Sequence, residues 1–102
     1  MTTKYILDGH EVIPCESIFD WAKWFENAWP ARRVAETIVG DKRVSTVFLG
    51  INHQFGDGAP LLFETMIFGD EGDDYQTRCS TWAEAEEMHR KAVATLDAEN
   101  PL

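Results

Sequence analysis

Two β-favouring runs constrain this chain most: RVSTVFLGI from Arg43 to Ile51, and LLFETMIF from Leu61 to Phe68. The first is rich in β-branched and aromatic residues, with polar residues only near its start. Such a run suits a central strand covered on at least part of both faces. In the second, the period of two places Leu61, Phe63, Thr65 and Ile67 on one face. Leu62, Glu64, Met66 and Phe68 fall on the other. The connection NHQFGDGAP holds two glycines and a proline and reads as a loop.

The flanking segments supply the rest of a small domain. Tyr5 to Leu7 and Glu11 to Ile13 predict a hairpin turning at Asp8-Gly9, ended by Pro14. Ser17 is a good helix N-cap, with Asp20 near the positive end of the helix dipole. Ile18, Trp21, Ala22, Phe25 and Trp29 then form an apolar stripe at helical spacing, with Phe19 and Trp24 on its flanks. Pro30 closes this helix. Val34 to Val39 predicts a strand that turns at Gly40-Asp41-Lys42 into the first run. Tyr75 to Cys79 predicts a last short strand. Thr81 with Glu84 three residues on is a capping box for a final helix. Its stripe is Trp82, Ala85, His89, Ala92, Val93 and Leu96. The expected order is ββαββββα, in one domain over residues 1–102. The fold class expected is α+β: a two-layer sandwich of mostly antiparallel sheet with two helices packed on it.

Charge narrows the function classes. Nine Lys+Arg face 18 Asp+Glu, a formal net charge of −9. Bulk charge of this sign disfavours nucleic-acid binding and a polybasic membrane-surface role. No window approaches the ~20 apolar residues of a membrane span. With no signal-like segment and only Cys15 and Cys79, the expected compartment is the cytoplasm, with both thiols reduced. The acidity is regional: residues 1–53 carry −1 and residues 54–102 carry −8.

Several polar residues stand out as candidates, each with a plainer alternative. His53, between Asn52 and Gln54, leaves the most apolar strand and enters the Gly/Pro-rich loop, where functional groups are often displayed. It and Asn52 could equally tie the loop down by hydrogen bonds. His89 sits within an apolar stripe, as a second base or as a buried histidine bonded to a single partner. Glu64 interrupts an apolar strand, as a base or as a cross-strand partner of Arg43 or Arg78. His53, Glu64 and His89 together are the only catalytic set the residues suggest. Cys15 or Cys79 beside a histidine would make a nucleophile, but only Arg78 is available nearby to lower a thiol pKa. Trp24 is a candidate contact residue or a core-margin packer. Asp70, Glu71, Asp73 and Asp74 form an acidic loop without the alternate spacing of a calcium-binding loop. There is no HExxH, CxxC, GxGxxG or P-loop, so no metal or cofactor is implied.

The strings RVSTVFLGINHQFG, PLLFETMIFG and YQTRCSTWAEAEEMH resemble a family of small proteins of tailed bacteriophages and prophages. The residues carrying the likeness are Ser45 to Gly50, Asn52, His53, Pro60 to Met66, Phe68, Gly69, Trp82 and His89. Asn52 stands where that family commonly has Asp. The resemblance implies a phage-encoded accessory protein acting in the bacterial host cytoplasm, and brings no biochemical activity with it. The function expected is therefore a non-enzymatic one: binding of a host or phage protein through an acidic surface, at Asn52, His53, Trp24 and the 70–74 loop, with a homodimer as a further option. The rivals are a small enzyme or ligand-binding domain centred on His53, and a DNA mimic that inhibits a defence or DNA-binding protein.

Overall fold

The computed structural model describes residues 3–54, 56–69 and 75–99. The elements run β1 (Tyr5–Asp8), β2 (Glu11–Pro14), α1 (Ile18–Asn27), β3 (Arg33–Val39), β4 (Lys42–Phe48), β5 (Phe63–Phe68), β6 (Gln76–Cys79) and α2 (Trp82–Glu99). This is an α+β fold in the expected order. All strand pairs are antiparallel: β1 pairs with β2, and the main sheet runs β3-β4-β5-β6. Both tight hairpins use two-residue loops that begin with glycine, since Asp8 pairs with Glu11 and Val39 with Lys42. Gly9 and Gly40 take φ of 62° and 64°, as a turn matched to strand twist requires at its first position.

Helix α2 lies across the main sheet and contacts all four of its strands. Its start is the expected capping box. The Glu84 amide donates to Thr81 Oγ1 at 3.1 Å, and Glu84 Oε1 accepts from the Thr81 and Ser80 amides. Ala85, His89, Ala92 and Leu96 of its stripe are buried. The strand residues facing it are Val44, Thr46 and Phe48 from β4, with Phe63, Thr65 and Ile67 from β5. The core forms two apolar clusters. One is built on Leu7, Phe48, Leu62, Phe63 and Ala85, and the other on Val44, Ile67, Ala92 and Leu96.

Helix α1 sits elsewhere, against β1 and the end of β4 rather than over the middle of the sheet. A bridge between Lys4 and Ile51 joins the hairpin to the chain leaving β4. Trp21 Nε1–H donates to both Tyr5 O (3.1 Å) and Gly50 O (3.0 Å). Gly50 is required there: φ is 77°, and a Cβ would lie 3.2 Å from Trp21 Nε1 and 3.4 Å from the Phe25 ring. The expected stripe of α1 is thereby rotated. Trp21, Trp24 and Phe25 are half-buried and Ala28 is buried, while Ile18 is 58% and Phe19 85% exposed. A short helix docked on a narrow hairpin has no second surface on which to bury its first turn. Strand β4 also ends earlier than expected, at Phe48, because the backbone turns at Gly50 to meet β1.

Candidate functional site

His89 is the centre of a buried polar chain. Its Nε2 lies 2.8 Å from Thr37 Oγ1, and its Nδ1 lies 2.7 Å from Thr46 Oγ1. Thr46 Oγ1 in turn lies 2.5 Å from Thr65 Oγ1. Thr46 and Thr65 are fully buried, and His89 is nearly so. Proton counting gives the direction of these bonds. If Thr65 donates to Thr46, Thr46 donates to Nδ1 and Nε2–H donates to Thr37, all three bonds form and no buried proton is stranded. The reverse direction leaves the Thr65 hydroxyl without an acceptor among the described residues. Burial pushes the His89 pKa down, so the ring is held neutral. The two core clusters flank this chain, which satisfies a polar seam between them.

Glu64 points the other way. It alternates with Phe63 and Thr65, so it projects from the sheet face that α2 does not cover. There its Oε2 accepts from Arg78 Nε at 2.9 Å and from Gln76 Nε2 at 2.8 Å. Arg78 is its direct cross-strand neighbour, one of the two partners expected from sequence. The sheet therefore separates Glu64 from His89.

His53 joins neither of them. Its amide donates to Leu61 O at 3.0 Å, and its half-buried ring has no hydrogen-bond partner among the described residues. Asn52 closes the loop: its Oδ1 accepts from the Gln54 amide at 2.8 Å and the Leu61 amide at 3.0 Å. An aspartate there would offer the same acceptor. The set His53, Glu64 and His89 is thus not brought together.

Cys79 is not poised for attack. Cys79 packs against the first core cluster, and its thiol lies 3.7 Å from Thr81 O. Burial, and then the charge of Glu84, pushes its pKa up to about 11, away from the thiolate. Cys15 Sγ lies 3.5 Å from Ser17 O at the start of α1. Among the described residues, no group of three or more His, Cys, Asp or Glu could hold a metal ion. Asp70, Glu71, Asp73 and Asp74 lie outside the described residues.

Of the sequence-named binding residues, Trp24 lines a concavity. A cleft of about 550 Å³ opens between the β1–β2 turn and α1. Leu7, Trp24, Ala28 and Ala31 make it apolar, with Asp20, Lys23 and Asn27 beside them. Trp24 is held at its inner edge by an edge-on contact with Phe48, with centroids 5.8 Å apart at 85°. Phe19 precedes Lys23 by one helical turn and so stands beside the cleft. From residue 3 to residue 31 there are five acids and two bases, and all five acids, Asp8, Glu11, Glu16, Asp20 and Glu26, are exposed.

No family model, curated protein or solved structure matches this chain. Sequence reasoning missed Asp20, Lys23 and Asn27 as companions of Trp24. Their signal was present, since residues 20, 23, 24, 27 and 28 fall on one helical face. Also missed was Arg32, whose guanidinium stacks 3.6 Å from the Phe25 ring centre and donates through Nε to Phe48 O. Its position outside any regular element left no periodic signal. His10, expected to be exposed, is so, and it stacks on Trp82 at 3.8 Å.

Proposed function

We propose that this chain is a non-enzymatic accessory protein of phage or prophage origin that binds a host or phage protein in the bacterial cytoplasm. The observation that carries the reading is the Trp24 cleft, an apolar, aromatic-lined concavity set in the acidic surface of α1 and the hairpin. Such a site takes a side chain with an aliphatic stem and a cationic head. The stem lies along Leu7 and Ala28, the head meets the Trp24 ring face, and Asp20 supplies the counter-charge. The partner is accordingly a protein presenting Lys or Arg within an apolar segment. Net negative charge steers it to the site from a distance. The acidic surface that matters is then the one on α1 and the hairpin. Of the α2 acids, Glu84 is engaged in the cap and Glu87 with Arg90 at 2.6 Å.

The test is capture of host proteins by tagged chain, quantified by mass spectrometry, across a variant series. Asp20→Lys is an exposed substitution and Trp24→Ala empties the cleft. Both are expected to lower capture of a stoichiometric partner at least tenfold, with melting temperature recorded to confirm folding. His53→Ala should leave capture unchanged, and added salt should weaken it. A partner that survives both α1 substitutions, or is lost with His53→Ala, would overturn this assignment.

A further inference from the structure

Among the described residues, α2 covers one side of the main sheet and no second helix packs across the other. On the uncovered side, cross-strand register builds two regular rows and the start of a third. Ile38, Arg43 and Phe68 form one; Glu36, Ser45, Met66 and Gln76 form the next; Val47, Glu64 and Arg78 form the last. Ile38 is 64% and Phe68 41% exposed, and Val47 and Met66 are half-buried. Arg43 lies 4.5 Å over the Phe68 ring and reaches Glu36 at 3.2 Å, while Arg33 approaches Glu36 at 3.9 Å. With Glu64 paired to Arg78, both glutamates on this face are already neutralised.

We infer that this face packs against the same face of a second copy of the chain. Three observations point to self-association. The first is charge. The face holds Arg33, Arg43 and Arg78 against Glu36 and Glu64, a net of +1 on a chain of −9. Two copies meeting there oppose only one excess positive charge each, less than the like charge that two acidic α1 surfaces would bring together. The second is composition: beside Glu36, Glu64 and Ser45, the face holds arginine, methionine and phenylalanine, which are enriched at interfaces, and no lysine, which is depleted there. The third is area. Four strands about 4.8 Å apart, with about six residues each at about 3.3 Å, give a footprint of roughly 400 Å². Stacking two such faces buries on the order of 1,000 Å² once side-chain relief is counted, at the low end for specific contacts. That size predicts a weak, concentration-dependent dimer.

Sedimentation equilibrium of the full chain up to about 1 mM tests it. The expected result is a monomer–dimer equilibrium that tightens as salt screens the repulsion between two acidic copies. This is opposite in sign to the salt response of partner capture at Trp24. Phe68→Glu and Ile38→Glu, each at an exposed position, should weaken the dimer at least tenfold without lowering the melting temperature. Asp20→Lys should leave it intact. A monomer at every concentration and salt would overturn the inference. So would a dimer that survives both face substitutions. If the chain stays monomeric while Phe68→Glu abolishes capture of a different protein, the face belongs to that protein and not to a second copy.

Discussion

Thr65 and Glu64 are neighbours on β5, yet the two faces of the sheet treat polarity in opposite ways. On the face under α2, polar groups are uncharged, and Thr37, His89, Thr46 and Thr65 form one linked chain that ends at the half-buried Thr37. On the uncovered face, polar groups are ionised and paired sideways along cross-strand rows. The difference follows from desolvation. Under the helix a charge would cost several kcal/mol, so the buried polar groups there are neutral; most are bonded to one another, while Thr77 Oγ1 and Trp82 Nε1 have no partner among the described residues. On the open side, water screens the Arg43–Glu36 pair, which contributes little stability, while the buried Glu64 is satisfied by Arg78 and Gln76; Ile38 and Phe68 are left available for contact. The covered face is therefore where this fold is held, and the uncovered face and the α1 cleft are where it can meet something else.

Replacing matched aromatics on the two faces should separate them most. Phe48→Ala, at a fully buried position, is expected to cost about 3–5 kcal/mol. Phe68→Ala should cost less than about 1 kcal/mol by chemical denaturation. Equal losses would erase the contrast. A smaller effect, but a specific one in pH, is expected from His89. Its folded pKa lies below the ordinary value near 6.5, so the unfolded chain binds the proton more readily. Stability from this site is complete above that value and is lost as pH falls below it toward the lower folded pKa. His89→Leu should cost about 1–3 kcal/mol at pH 8 and remove this acid sensitivity. Persistence of the same acid slope in the variant would contradict the role given to the ring.

On the open face, Glu64→Gln should cost about 1–2 kcal/mol, because Arg78 keeps partial access to water when its partner is neutralised. Smaller still in energy, yet simple to read, is thiol reactivity. With its pKa raised to about 11, Cys79 should resist alkylation in the native protein at pH 8 and react only on unfolding. Rapid labelling of Cys79 in the folded state would show that the covered face opens far more readily than its packing indicates.

Much of this architecture was legible from residue pattern. Alternation in LLFETMIF separated Phe63, Thr65 and Ile67 from Glu64 and Phe68, and the stripe of α2 was marked by 3.6-residue spacing. Thr81 with Glu84 announced where that helix begins. What pattern did not reveal was partnership over long sequence distances. Nothing local says that His89 meets threonines 43 and 52 residues away. Nor does local sequence say that α1 docks on a hairpin rather than on the sheet. For that reason Ile18 and Trp29, both on the expected stripe, lie outside the buried one, which runs through Trp21, Trp24, Phe25 and Ala28. The Trp24 cleft shares this origin, since it exists only because the hairpin turn stands opposite α1. The acidic 54–102 half dominated the charge profile by sequence. Folding shows Glu84 and Glu87 engaged locally, and shifts attention to five exposed acids before residue 31.

The contrast between the two faces is tested most directly by backbone NMR of the chain titrated from about 50 μM to 1 mM. The account predicts concentration-dependent amide shifts at Ile38, Arg43, Ser45, Met66 and Phe68, with the His89, Thr46 and Thr65 amides unmoved. Shifts centred on His89 and its threonines, or no shifts on the uncovered face at any concentration, would contradict it.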